Sequence, residues 1–211
     1  VSVHRELLCF FSSYYSAALN GEFLEARKDQ FEVNLTGKQL KAFATWLYTG
    51  DMTESARYND TDLYVFADQV DILALRRAAL SEIVRKDKLL TYDHLVYIHS
   101  NLARGSPLLR WVTDHYIAHW HPDHDEDDSC PLDSDTDPDH NLARFVYQVL
   151  KGVATRDDVD LPGCRCCNDV CEYHEHPSKE EWETTCGQDE NSEMPASLKE
   201  ADQLESSDQE N

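Results

Sequence analysis

The sequence predicts a mostly helical α+β fold: a cluster of short helices with a small residual sheet, then a helical extension and a disordered acidic tail. Three observations lead there. Apolar residues recur at helical spacing in successive runs from Leu40 to Ile83. One stretch, Gln30 to Leu35, alternates apolar and polar residues instead. Charge divides the chain: of the 211 residues, net charge −22, residues 1–120 hold 13 Lys+Arg and 15 Asp+Glu, while residues 121–211 hold 6 and 26. The first part can fold compactly; the second repels itself and is poor in apolar residues, the composition of a disordered segment.

Taken in order, Val1 to Val3 alternates and reads as the end of a strand. Leu7, Leu8 and Phe11 then follow helical spacing. Ser12 and Ser13 break and cap, because a hydroxyl can accept from the free amides of the next turn. A second short helix places Tyr14, Ala17, Ala18 and Leu19 inward, and Asn20-Gly21 ends it through glycine's access to the left-handed region. From Gln30 to Leu35, Phe31, Val33 and Leu35 share one face of a half-buried strand. Thr36-Gly-Lys-Gln39 has the form of a capping box. The helix that it opens buries Leu40, Phe43, Ala44, Leu47 and Tyr48 and stops at Gly50. Asn59-Asp-Thr61 opens a helix with Leu63, Phe66, Ala67 and Val70 inward, which Asp71 breaks. Leu75, Ala78, Ala79 and Ile83 line the next.

These residues resemble a known family. His4-Arg-Glu-Leu-Leu8, Ser13-Tyr-Tyr15, Ala17-Ala-Leu19 and Phe23-Leu-Glu25 look like the first helical hairpin of a BTB/POZ domain. Trp46-Leu-Tyr-Thr-Gly50, Leu63-Tyr-Val-Phe-Ala-Asp68 and Leu75-Arg76 look like its second half. The resemblance spans residues 1–88, in the manner of BTB proteins of filamentous fungi. It implies a protein-interaction module that docks or oligomerises. The strand pair that usually opens such domains is nearly absent before His4. With its abrupt start at Val1, the chain reads as a fragment or an incomplete gene model. Relatives that recruit a cullin-type ubiquitin-ligase scaffold often carry a hydrophobic-x-Glu motif where this chain has Leu40-Lys41-Ala42, so the adaptor reading loses a carboxylate. The residues expected at a partner surface are Tyr14, Tyr15, Phe23, Leu40 and Ala42.

Beyond this domain, placed at 1–90, a helical extension is expected at 91–120. Asp93 caps a helix burying Leu95, Ile98 and Leu102, and Ser106-Pro107 starts another, proline costing nothing at the first helical position. Leu109, Val112, Tyr116 and Trp120 share its inner face. Residues 121–140 read as an acidic linker; their alternating Asp residues lack the Gly and Glu of a calcium loop. Leu142, Phe145, Val146, Val149 and Val153 form one stripe of an amphipathic helix at 141–155, expected to pack on the extension.

Residues 156–187 hold the one patch with site chemistry. Of seven cysteines, Cys9 reads as a core thiol, and five others fall between 164 and 186. That crowding in a chain without a membrane span fits a reduced, intracellular protein of cytoplasm or nucleus. Cys164 and Cys167, then Cys171 and His174, repeat a two-residue gap suited to zinc, with His176 or Cys186 as substitutes. His115 and His119, four apart on a helix, could face a common ion, but with no further ligands beyond His121 and His124 of the linker they read as exposed helix-face histidines. Residues 188–211 complete the acidic tail.

No phosphate-binding glycine loop, nucleophile elbow or dinucleotide fingerprint occurs. The acidic balance argues against nucleic acid, which needs clustered Lys and Arg. The sequence therefore reads as non-catalytic: a protein-interaction module, with a cullin adaptor and a zinc- or redox-sensitive regulator as the alternatives. Zinc is the one cofactor suggested. The partners implied are a second copy of the chain, as a homo-oligomer, or a cullin.

Overall fold

The computed structural model describes residues 1–21, 27, 30, 33–52, 59–86, 90–121, 141–155, 164–188, 194–195 and 198–199. Two compact units emerge, Val1–Arg104 and Gly105–Asn211.

The first unit contains α1 (Arg5–Phe11), α2 (Ser13–Asn20), α3 (Gly37–Thr49), α4 (Asn59–Gln69), α5 (Leu73–Arg85) and α6 (Tyr92–Asn101). Helix α1 pairs with α2, α4 pairs with α5, and α3 and α6 each pack on α4. Leu63, Tyr64, Val65, Phe66 and Ala67 are all buried, so α4 is enclosed on every side. A helix covered all round needs no polar face, and five consecutive buried residues satisfy no amphipathic period. Around it lie Phe43, whose ring meets Phe66 edge-on at 5.1 Å, and Trp46, 5.3 Å from Phe11. Leu75, Ala79, Leu80 and Ile83 of α5 and Leu95 and Ile98 of α6 complete the core.

Local signals set most of the boundaries. Thr36 and Gln39 form the capping box: Gln39 N donates to Thr36 Oγ1 at 3.4 Å and Thr36 N to Gln39 Oε1 at 2.7 Å. Gly50 closes α3 with φ +73°, in the left-handed region. Ser12 accepts from Tyr15 N at 2.9 Å and donates to the Val70 carbonyl at 2.5 Å. That second bond ties the α1–α2 hairpin to the end of α4 and sets the rotation of α2. Tyr15 and Leu19 therefore point inward, and Tyr14 outward. Gly21 ends α2 in an extended conformation, φ −86°, rather than a left-handed one. Asp71, at φ +49°, turns the chain between α4 and α5; it accepts from the Ser13 hydroxyl and lies 3.6 Å from Arg76. Asp60 is fully buried in the first turn of α4, where the helix dipole favours a carboxylate, and pairs with Lys86.

The residual sheet expected from the sequence is absent: among the described residues there is no strand. Val33 and Leu35 are half-buried and Asn34 is exposed, so the alternation is real. However, Leu35 N donates back to the Val33 carbonyl at 2.9 Å, which closes a local turn instead of reaching a neighbouring strand. An alternating run without a partner ladder is not a stable strand. Val1 to Val3 is likewise unpaired in any ladder; Phe31 and Glu32 fall outside the described residues. The described architecture is helical.

In the second unit, α7 (Pro107–His119) is central. Pro107 starts it, but the Ser106 side chain makes no capping bond. One face receives α8 (Asn141–Thr155) through Leu142, Phe145 and Val149, as the stripe predicted, with Phe145 meeting Tyr116 at 5.1 Å. The other face carries α9 (Arg165–Asn168) and a 3-10 turn, Val170–Tyr173. Helix α10 (Lys179–Thr184) and a second 3-10 turn, Cys186–Gln188, follow and pack on each other. Residues 122–140 of the acidic linker and most of the acidic tail lie outside the described residues.

Candidate functional site

Helix α7 is buried on two faces, not one. Leu108, Trp111 and His115 are as enclosed as Leu109, Val112 and Tyr116. The cover on the second face is the Cys/His segment. Trp111 Nε1 donates to the Cys166 carbonyl at 2.8 Å, Arg110 donates to the Glu172 carbonyl at 3.1 Å, and the Tyr173 hydroxyl donates to Asp114 at 2.8 Å. Burial, then this bond to Asp114, pushes the Tyr173 phenol well above its ordinary range.

That docking brings α7's two histidines to the sulfurs. The expectation that His115 and His119 are exposed is overturned: His115 is 3% exposed and stacks on Trp111 at 4.7 Å, and His119 is half-buried. His119 Nε2 lies 2.9 Å from Cys164 Sγ, 3.5 Å from Cys166 Sγ and 3.3 Å from Cys167 Sγ. Ligand atoms of His115, His119, Cys166 and Cys167 all fall within 4.8 Å of one another. Burial, aided by Cys164, pushes the Cys166 thiol up to about 12. Buried thiols this close together resist ionisation; a bound metal reverses that by stabilising thiolate.

A second group forms from Cys171, His174, His176 and Cys186, again within 4.8 Å. His176 Nε2 is 3.5 Å from Cys171 Sγ, and His174 Nδ1 is 3.1 Å from Cys186 Sγ. On its other nitrogen, His176 Nδ1 meets Glu181 at 2.7 Å, and Trp182 Nε1 donates to Cys171 Sγ at 3.1 Å. The 3-10 turn supplies Cys171. Ser178 caps α10 by accepting from Glu181 N, which places Glu181 and Trp182. Gly187 lets the Trp182 ring close in, since a Cβ there would meet it at 2.9 Å.

The six cysteines and histidines singled out in the sequence thus do not converge on one point. Cys167 joins α7, with Cys164 beside it, whereas Cys171, His174, His176 and Cys186 form the second group. Cys166, His115 and His119 complete the first. Cys9 is half-buried rather than a core thiol, and Asn20 Nδ2 donates to its sulfur at 3.6 Å.

Of the residues expected at a partner surface, Tyr14 is 51% exposed and rests against Tyr15 at 5.3 Å. Tyr15 itself is core, 4% exposed. Leu40 and Ala42 are half-buried on α3. Phe23 lies outside the described residues. Phe10, which the sequence did not single out, is 80% exposed and packs edge-on against Phe11 at 4.9 Å.

No family model, curated protein or solved structure matches the chain. The likeness to BTB/POZ domains therefore rests on the quoted residues alone. Among the described residues, no helix is long and apolar enough to cross a membrane.

Proposed function

We propose that the chain is a non-catalytic protein-interaction module of the BTB/POZ kind in its helical part, and that its first unit docks another protein through aromatic side chains. The observation that supports this is the pair Phe10 and Tyr14: both rings are exposed, and each leans on an aromatic neighbour behind it. Aromatics held in place before binding lose little entropy when covered, and such residues dominate interface energetics. A net charge of −22 steers association toward a basic partner surface and opposes pairing of two copies. The cullin-adaptor reading gains nothing from α3, where Leu40 and Ala42 offer no carboxylate.

The test is reconstitution from purified components. A protein that co-purifies with the full chain should bind it again when both are pure. Replacing Phe10 and Tyr14 by Asp should weaken that binding at least tenfold with the helical signal unchanged. Sedimentation of the chain alone tests a second copy as the partner. Undiminished binding by the double variant, or a chain that reconstitutes with no partner and remains monomeric, overturns the proposal.

A further inference from the structure

We propose that the second unit holds two zinc ions, one bound by His115, His119, Cys166 and Cys167 and the other by Cys171, His174, His176 and Cys186. Each set provides two thiols and two imidazoles with ligand atoms within 4.8 Å of one another. This is the donor set of a closed, structural zinc centre. A tetrahedron with Zn–S of about 2.3 Å and Zn–N of about 2.0–2.1 Å separates sulfur from nitrogen by about 3.5 Å. His119 and Cys166, and His176 and Cys171, stand 3.5 Å apart, and His119 and Cys167 3.3 Å. On loading, each pair of thiols releases two protons and the two thiolates balance the ion. The loaded centre is therefore neutral, and its burial leaves no charge uncompensated. Mixed nitrogen and sulfur donors in this arrangement select zinc over the oxygen-seeking calcium and magnesium.

The side chains behind the ligands support the assignment. His176 offers Nε2 to the centre while Glu181 holds Nδ1, the carboxylate–histidine relay that fixes tautomer and ring orientation at metal sites. The Trp182 N–H points at Cys171 Sγ, where it stabilises a thiolate. Trp111 holds the His115 ring by stacking.

Beyond its hydrogen bonds to α7, the segment has little apolar cohesion of its own. From Cys164 to Gln188 its helical elements are three to six residues long, and its apolar side chains are few: Val170, Tyr173 and Trp182 besides Pro177. Helices this short do not persist in water alone. Metal centres are how small modules without a sufficient core are held. Cys164, 2.9 Å from His119 and 3.1 Å from Cys166, stands beside the first centre as a spare thiol. His115 is assigned in its place because its ligand atom lies within reach of the other three donors.

The full chain, purified without chelator and examined by native mass spectrometry and elemental analysis, should carry two zinc ions. His119→Ala and Cys186→Ser should each carry one, and the pair together none. Cys9→Ser and Cys164→Ser should keep two. His119→Cys, which replaces one zinc donor by another, should also keep two, and separates loss of a ligand from loss of the fold. Substitution of cobalt should give tetrahedral d–d bands with thiolate charge transfer, halved in each single variant. A chain with no zinc and freely alkylated thiols, or two ions retained in both His119→Ala and Cys186→Ser, overturns the proposal. Loss of one ion in Cys164→Ser, with two kept in His115→Ala, overturns the first ligand set.

Discussion

Tyr15 shows how one side chain's surroundings become a property of the fold. Its phenol, ordinarily near 10, is raised to about 12, first by burial and then by Tyr14. The folded chain therefore keeps this proton at pH values where the unfolded chain has lost it. Tyr15's contribution is whole below pH 10 and disappears as pH rises through 12, a shift worth about 2–3 kcal/mol. Urea unfolding followed across that window should show a falling stability that flattens in Tyr15→Phe; an unchanged slope would remove Tyr15 as its source. Single residues were also where the sequence was most legible. As caps, Ser12, the Thr36–Gln39 box and Gly50 act on backbone groups within four positions, so that part of their chemistry is written beside them. His115 and His119 were not legible in this way. Their four-residue spacing allows a shared ion, but the cysteines that surround them lie 45 or more positions downstream, and nothing at α7 itself announces those.

Helices α7 and α8 show the same limit for whole elements. The stripe of Leu142, Phe145 and Val149 was readable because a one-sided helix carries the period of its burial. Helix α4 was readable as a helix with Leu63, Phe66, Ala67 and Val70 inward, but its enclosure on the other sides, and the second face of α7, were not. Burial on several sides erases that period, so Trp111 falls outside the single inner face that the spacing predicts. The Gln30–Leu35 alternation misled in the opposite direction, since a strand exists only with a partner that a local pattern does not supply. Between α7 and α8, a Cβ at Gly152 would lie 2.3 Å from Ile117 Cδ1. Ile117 is β-branched and stiff, so it cannot swing aside cheaply. Gly152→Ala should destabilise the chain by about 1–3 kcal/mol through overpacking, against a gain of about 1 kcal/mol in helix propensity. In an Ile117→Ala background, the same change should be neutral or stabilising by thermal unfolding. Equal losses in both backgrounds would place the strain elsewhere.

At the scale of the molecule, the charge boundary seen in the sequence near residue 120 is not the structural one. The units part at Gly105, and α7, from the near-neutral part of the chain, belongs with the acidic part. Composition reports solvation, whereas unit membership follows packing, and α7's packing is fixed by residues beyond 140. That arrangement also has a consequence in time. His174 and Cys186 are 12 positions apart, whereas His119 and Cys166 are 47 apart. Closing the longer loop costs about 1 kcal/mol more in chain entropy, and the search is correspondingly slower. The group around Cys171 should thus assemble first as a local knot. The group on α7 should close later, as a clasp that fastens the knot to the helix. Zinc added to the metal-free chain in a stopped-flow instrument, with Trp182 and Trp111 fluorescence as reporters, should give a fast and a slow phase. Cys186→Ser should lose the fast phase and His119→Ala the slow one; a single phase in the unaltered chain would contradict that order.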